Sequence, residues 1–320
     1  MKTVFIIGNG FDINLGLPTG YQDFYNYYLK QPSGSEQISS LKKYLEKERY
    51  NTWADLELGL GDYTRYLTTE DDVEIILHDL SDYLKAYLHE VSNSFSPLSS
   101  FADQFFRDLA QPYRSLPGGM ARAVASFCAS FSLPINIDVI SFNYTDVLEK
   151  LIRVTRSNAR LPMRIGEDVT LSSIRHLHMS VHDLDIILGV NDETQIKNES
   201  LRTDRVKTLM VKPYVNKQLE MLIDEECLAL INEADLICLF GVSLGETDAI
   251  WWDAIGNHIK TTSSVLLYFA YDNAEIKYNN QLIEKRQYYR SLLYKRLWGE
   301  QSASKWQNQI FVGYRTNLFK

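Results

Sequence analysis

Three kinds of feature are scarce in this chain of 320 residues, and each absence excludes a class of protein. The three cysteines, Cys128, Cys227 and Cys238, lie far apart without a CxxC pair, which argues against a disulfide scaffold and a cysteine zinc site. No apolar run approaches the ~20 residues that a membrane helix needs. The first residues pass directly into a short apolar run without a cleavage site, so we expect no signal peptide and a cytoplasmic protein.

Positive charge is also scarce. The chain has 33 Lys and Arg residues against 41 Asp and Glu residues, a formal net charge of -8, and a pI near 5.4. An acidic surface repels phosphate backbones, so we expect neither nucleic acid nor a membrane as a partner. With 45% hydrophobic and 23% charged residues, the composition is typical of a globular protein with one large domain or two smaller ones.

Strand and helix patterns alternate along most of the chain. Strand-like runs, several of them apolar throughout, occupy 3–7, 137–142, 175–178, 184–189, 235–240 and 264–270. Helical spacing follows at 21–29, 147–153, 214–234, 247–259 and 277–298. This alternation predicts an α/β fold with a Rossmann-like parallel sheet flanked by helices. We predict that 1–35 and 133–320 form this core, and that the helical pattern of 36–132 is a large insertion.

Four of the predicted strands end in small or polar residues. These ends are 8–12, 143–146, 176–178 and 241–244. Ligands bind at the carboxyl ends of the strands in an open parallel sheet, so the coincidence of four such ends predicts a site. Gly8 and Gly10 would let the backbone approach a phosphate. The alternative is a tight turn without a ligand, and Ile13 replaces the third glycine of a dinucleotide fingerprint.

Several of these segments resemble a known family. Residues 8–18, Gly-Asn-Gly-Phe-Asp-Ile-Asn-Leu-Gly-Leu-Pro, resemble the sirtuin opening Gly-Ala-Gly-x-Ser-x-x-x-Gly-Ile-Pro. The closer resemblance is to the AbiH family of bacteriophage abortive-infection proteins, and it spans Val4 to about Trp252. It includes the Ile-Gly-Asn-Gly-Phe-Asp loop followed by Gly-Leu-Pro-Thr. The other shared elements are Trp-x-Asp-x-Glu at 53–57, Phe-Asn-Tyr-Thr at 142–145, His-x-His at 176–178 and Gly-x-Ser-Leu-Gly-x-x-Asp at 241–248.

The resemblance implies a sirtuin-like core that binds NAD. It places Asn143 by the ribose, where it positions the attacking group, and makes His178 a base towards a ribose hydroxyl. An Asn side chain can hold a water or hydroxyl with two hydrogen bonds, and a His can accept a proton near neutral pH. Two departures are Met179, which replaces the Gly after that His, and Thr145, which stands where the superfamily has Asp.

We therefore predict an antiphage defence protein that binds NAD or a related nucleotide and hydrolyses its nicotinamide N-glycosidic bond. The partners that we expect are this nucleotide, a phage-derived trigger and a second copy of the chain. The alternatives are a non-catalytic nucleotide sensor and an RNA-directed toxin. The predicted catalytic residues are Asn143 and His178. The predicted cofactor-binding residues are Gly8, Asn9, Gly10, Phe11, Asp12, Thr19, Tyr144, Gly241, Ser243 and Leu244.

Other readings of the same residues stay open. Asn143 could cap the following helix, and His178 could be a hydrogen-bonded core histidine. His176 and His178 share a strand face near His182, but no further ligand has metal-site spacing, so we expect no metal.

Residues outside the four strand ends also have a structural reading. Trp53, Asp55 and Glu57 are interpreted as a capped helix start, and Asp248 with its neighbouring tryptophans as a packed one. The basic stretch formed by Arg202, Arg205, Lys207 and Lys212 is interpreted as a solvated face, with a phosphate clamp as the alternative.

Overall fold

The computed structural model describes residues 1–51, 53, 55–155, 160–299 and 303–320. Strands and helices alternate along these residues. The strands are β1 (Lys2–Ile7), β2 (Ile135–Ser141), β3 (Met163–Arg164), β4 (Val169–His176), β5 (Leu236–Phe240), β6 (Val265–Ala270) and β7 (Ile310–Tyr314). The α-helices are α1 (Gly10–Asn14), α2 (Tyr21–Tyr28), α3 (Glu36–Glu48), α4 (Leu56–Tyr63), α5 (Glu70–Ser94), α6 (Ser99–Ala110), α7 (Gly118–Ala129), α8 (Val147–Thr155), α9 (Asp204–Met210), α10 (Lys212–Gln218), α11 (Ile223–Glu233), α12 (Ala249–Thr261) and α13 (Asn279–Trp298).

The strands form one sheet in the order β3-β4-β2-β1-β5-β6-β7. The short β3 is antiparallel to β4, and all other neighbours are parallel. Numbered among themselves in chain order, the parallel strands lie 3-2-1-4-5-6. The connections leave β1 towards opposite edges of the sheet, which opens a crevice at its carboxyl end.

The central strands are apolar on both faces because helices cover both sides of the sheet. All five residues of β5 are buried, as are Thr3 to Ile7 of β1. On one face, alternate residues of the strands pack against α6, α7, α8 and the C-terminal Leu318 and Phe319. On the other face, the intervening residues pack against α11, α12 and α13. The predicted α/β class with a mostly parallel sheet flanked by helices is confirmed.

A third core lies among helices beside the sheet. It joins α2, α3, α4 and α5 with the segment that leads from Val181 to Val211. The long helix α5 begins at a capping box, in which Thr69 and Asp72 satisfy each other's backbone amides. Within the predicted insertion 36–132, α6 and α7 pack on the sheet, whereas α2 lies outside it and packs with α3 to α5. The division into domains stays a prediction.

Some predicted elements are wrong. Residues 184–189 form no strand: Leu184 is fully exposed, and Ile186 and Leu188 are apolar because they pack into the helical core. The predicted helix 214–234 is interrupted at Glu220, whose φ is 55°. The predicted strand 175–178 is the end of the longer β4, so His178 follows the strand. The strands β3 and β7 were not predicted.

None of the described helices combines the length and the apolar character needed to cross a membrane.

Candidate functional site

A cavity of about 360 Å³ opens at the carboxyl ends of β1, β2 and β5. The loops after these strands form its floor, and residues after β4 and from the helical layer form its walls. The residues that line it are Gly8, Asn9, Gly10, Asp12, Ile13, Thr19, Gly20, Tyr21, Asp55, Glu57, Leu84, Leu88, Phe142, Asn143, Tyr144, Thr145, His178, Lys212, Gly241, Val242, Ser243, Thr247 and Asp248. The four polar strand ends of the sequence therefore meet at one place.

The glycines of the first loop are required by contacts within the protein. A Cβ atom on Gly10 would lie 2.6 Å from the Cα atom of Gly241, and one on Gly8 would lie 2.7 Å from the Gly241 oxygen. The Gly8 amide donates to the Phe240 carbonyl, and the Gly10 amide donates to the Gly241 carbonyl. These two amides are therefore not available to a phosphate, contrary to the expectation that this turn cradles one.

Asn9 and Thr19 close the same loop. The Asn9 side-chain amide donates to the Thr19 carbonyl over 2.8 Å, and the Thr19 hydroxyl donates to Asn9 Oδ1 over 2.5 Å. Both residues line the cavity, but their side chains satisfy each other. Ser243 is exposed at the cavity wall.

Two of the predicted ligand contacts lie in the hydrophobic cores instead. The Phe11 ring is fully buried and makes edge contacts with the rings of Phe105, Phe240 and Phe319. Leu244 is buried against the sheet face that carries α12, and its backbone adopts a φ of 55°. Both residues are buried because their side chains are apolar and pack into these cores. Neither residue lines the cavity.

Asp12 is a carboxylate buried at the cavity floor, where it is 1% exposed. The Thr145 hydroxyl donates to its Oδ2 over 2.6 Å, and the Asn143 side-chain amide donates to its Oδ1 over 3.1 Å. Burial raises the pKa of Asp12 to about 7, although both hydrogen bonds lower it. This carboxyl group therefore exchanges a proton near neutral pH.

Asn143 occupies the tight turn after β2. Its side-chain NH₂ group donates to Asp12, and its Oδ1 accepts from no backbone amide among the described residues, so it does not cap α8. Among the described residues, no donor reaches its buried Oδ1 atom, although Asn143 lines the cavity. An unpaired buried carbonyl oxygen costs about 1–3 kcal/mol, which makes it a candidate contact for a ligand hydroxyl or a water.

A second buried charge cluster joins the helical layer to the sheet. The Lys212 ammonium lies 2.6 Å from Glu57 and 3.9 Å from Asp248. Burial alone lowers the pKa of Lys212, but these two carboxylates raise it above its ordinary value. Burial raises the pKa of both acids, and the lysine opposes that rise. The Tyr144 hydroxyl lies 3.2 Å from Glu57 Oε1 and also 3.2 Å from the Ile187 carbonyl oxygen.

His178 is a neutral imidazole. Burial, together with the charge of Lys212, lowers the pKa of His178 well below its ordinary value. The Lys212 ammonium has only hydrogens to offer and lies 3.4 Å from Nε2, so Nε2 accepts and the ring proton resides on Nδ1. The nitrogen that would act as a base is therefore occupied.

The interpretation of two residues, Glu57 and Asp248, changes. Asp55 caps α4, as predicted, by accepting from the amides of Glu57 and Leu58. Glu57 instead enters the cavity, and so does Asp248. The only signal in the sequence was the Trp-x-Asp-x-Glu and Gly-x-Ser-Leu-Gly-x-x-Asp patterns that contain them; Ala54 of the first pattern lies outside the described residues.

The predicted basic stretch is divided by the fold. Lys212 is 3% exposed and lies in the cavity, whereas Arg205 pairs with acidic residues of α5 and Lys207 pairs with Glu193. Arg202 contacts Glu199. No basic patch remains on these four residues.

The comparisons with known proteins identify a family. A search of curated proteins returned no match. The family model described as bacteriophage abortive infection AbiH matches residues 4–270, which include all the residues that line the cavity. The predicted AbiH resemblance is thus confirmed, while the sirtuin-like part of it stays a prediction. The chain belongs to the bacteriophage abortive infection AbiH family.

Proposed function

We propose that this protein acts in phage defence by binding NAD or a related nucleotide in the cavity and hydrolysing its N-glycosidic bond. The family supports the defence role. The strand order 3-2-1-4-5-6, with the cavity where that order reverses, is the arrangement in which doubly wound sheets hold dinucleotides. Together with the sirtuin-like opening at 8–18, it supports a Rossmann-like, sirtuin-like core.

The charges of the cavity favour ribosyl cleavage over phosphoryl transfer. Asp12, Asp55, Glu57 and Asp248 line it, and Lys212 is the cation among the described lining residues. Because Lys212 is paired with two of these acids, no lining residue that the structure describes offers a free cation to hold a reacting phosphate. Cleavage of an N-glycosidic bond instead develops positive charge on the ribose, which carboxylates stabilise.

The observation that carries the proposal is the pair formed by Asp12 and Asn143. The Asn143 oxygen has room for a hydrogen from a ribose hydroxyl or from the attacking water. Thr145 stands where the superfamily has an Asp, and its hydroxyl donates to Asp12. Asp12, which lies on α1, therefore supplies the carboxylate that Thr145 lacks. Both groups occupy the floor of the cavity.

The proposed step has water as the nucleophile. The water oxygen forms a bond to C1′ of the ribose, and the bond between C1′ and the ring nitrogen breaks. Its electron pair remains on the departing base, which neutralises a pyridinium ring. The water proton passes to Asp12, whose pKa of about 7 suits a general base. His178 takes a different role from the predicted base, since its remaining N–H is a hydrogen-bond donor.

Nicotinamide release tests this proposal. Purified protein is incubated with NAD, and the same variants are followed in cells challenged with phage, because a phage product is the expected trigger. Asn143→Ala and Asp12→Asn are expected to lower release by about 10²–10⁴-fold.

Asn216→Ala is the matched control for these variants. Asn216 is equally buried, donates to Asp224 and also has an unpaired Oδ1, but it lies outside the cavity lining. Its removal is expected to leave release unchanged. If wild type releases no nicotinamide when purified and spares NAD in infected cells as Asn143→Ala does, the hydrolase proposal is refuted.

A second candidate is a nucleotide sensor without turnover. It is favoured by the contact between Lys212 and Nε2 of His178, which leaves the predicted base without a free nitrogen to accept a proton. The helical layer reaches the cavity wall through Tyr21, Glu57 and Leu84. Ligand binding would therefore change the contacts that this layer makes at the cavity. Calorimetry that finds tight NAD binding without nicotinamide release would support this candidate. The RNA-directed alternative gains no support from the stretch 202–212, because Arg205, Lys207 and Lys212 are ion-paired there.

A further inference from the structure

The ring of His176 has an environment that determines its protonation. His176 is the last residue of β4, and its Nδ1 lies 2.9 Å from the Asn143 carbonyl oxygen. Its Nε2 lies 2.9 Å from Glu149 Oε1 on α8. A backbone carbonyl and a carboxylate are both acceptors. A neutral imidazole has a single N–H, so one of these contacts would place two lone pairs together. Each nitrogen therefore carries a hydrogen.

The charged groups around this ring agree with that geometry. Glu149 faces it from α8, Asp183 from the loop after β4, and Asp12 from α1. All three are acids. Burial alone lowers the pKa of His176, but the hydrogen bond and the charge of Glu149 raise it on balance.

The ring acts on the site through the Asn143 turn. It donates to the carbonyl of Asn143, whose side-chain amide in turn donates to Asp12. A charge-assisted hydrogen bond of this kind is roughly twice as strong as a neutral one. The same positive charge also favours the ionised form of Asp12. His176 itself is absent from the cavity lining, so it would not touch a substrate.

We propose that His176 is held as an imidazolium by Glu149, and that it positions the Asn143 turn and favours the ionised form of Asp12 for the reaction. This inference rests on the proposed function for its catalytic consequence. The charge state of the ring is a separate statement about the folded protein, and it is measurable without any substrate.

Nuclear magnetic resonance of the full-length protein with ¹⁵N-labelled histidine tests the charge state. The two ring nitrogens of His176 are expected to show the shifts of an imidazolium at neutral pH. Its titration midpoint is expected to fall in Glu149→Gln, which keeps the hydrogen-bond geometry but removes the negative charge. A neutral ring in wild type, or a midpoint unchanged by Glu149→Gln, would overturn the inference.

Kinetics test the positioning role. His176→Gln is expected to lower kcat for nicotinamide release by about 10–100-fold with little change in KM, since a misplaced catalytic group costs this much. The limb of the pH profile that reports Asp12 is expected to move to higher pH, because the charge that favours its ionised form is lost. A purely structural role would not move that limb. If His176→Gln does not fold, Glu149→Gln carries the same kinetic test with the imidazole retained.

His182→Gln is the control. Its ring contacts Asp146 on the same turn, but its side chain is half exposed and does not contact Asn143. It is expected to keep the wild-type kcat and pH profile. If wild type is active, an unchanged kcat and an unchanged pH profile in His176→Gln would overturn the inference. An inactive wild type with a charged His176 would refute the proposed hydrolysis and leave the imidazolium established.

Discussion

Replacing Asp12 by Asn should change how the stability of the protein depends on pH. Asn has the shape of a protonated Asp, and the surrounding groups can hold it. The Asn143 amide would still donate to its oxygen, and the Thr145 hydroxyl can reverse its role to accept from the new NH₂ group. We therefore expect Asp12→Asn to fold.

The magnitude follows from the pKa of the carboxyl group in the two states. Asp12 keeps its proton up to about pH 7 in the folded protein, whereas the unfolded chain releases it near 3.8. The folded state binds more protons between these values, so the stabilisation is fully present below pH 3.8 and is lost as the pH rises to about 7. The whole range corresponds to about 4 kcal/mol, and the interval from pH 5 to pH 8 covers about 2.5 kcal/mol of it.

Urea denaturation at several pH values measures this effect, with the fluorescence of the buried tryptophans as the signal. From pH 5 to pH 8, the free energy of unfolding of wild type is expected to fall by about 2–3 kcal/mol more than that of Asp12→Asn. Other buried acids, such as Glu57 and Asp108, are present in both proteins, so their contributions to the pH dependence cancel in this comparison. Parallel plots of the free energy of unfolding against pH for the two proteins would refute the reasoning that burial disfavours the ionised form of Asp12.

Two further predictions concern the groups that hold the cavity together. Lys212→Met leaves the buried Glu57 and the part-buried Asp248 without a cation, and is expected to lower the free energy of unfolding by about 3–5 kcal/mol; Lys207→Met, at a surface ion pair with Glu193, should change the urea midpoint little. Gly10→Ala forces a methyl group against the Gly241 backbone and is expected to lower the melting temperature by several degrees, whereas Gly34→Ala, with open space around it, should not.

The strands of this fold could be predicted from the sequence where both of their faces are buried. β1, β5 and β6 are apolar runs because helices cover both of their faces. The same rule fails at 184–189. There the apolar residues are buried by helices, and the backbone pairs with no strand. Local pattern reports that a residue is buried, but it does not report which element covers it.

The candidate site was predictable to the extent that it is made of strand ends. The carboxyl ends of parallel strands meet at one edge, so the loops that contain Asn9, Asn143 and Ser243 were expected to converge. The ion pair between Glu57 and Lys212 was not predictable, because its partners are 155 positions apart and the local sequence gives each an ordinary structural explanation. Glu57 lies in the first turn of a helix, and Lys212 ends a basic stretch. The fold alone removes both from solvent.

The unfavourable features of the cavity lie together, and this gives the strongest reason to treat it as functional. Asp12 is ionisable at 1% exposure, Asn143 keeps an unpaired oxygen, and one lysine is shared by the buried Glu57 and the part-buried Asp248. Each feature has a desolvation cost, and replacing the whole buried group by apolar residues of similar size would remove that cost. A fold that needed only to close a turn after β1 would not retain all three at one strand edge. A ligand with hydroxyl donors and positive charge would satisfy the unpaired oxygen and the excess of carboxylates together, which is what a cationic nucleoside of the NAD type provides.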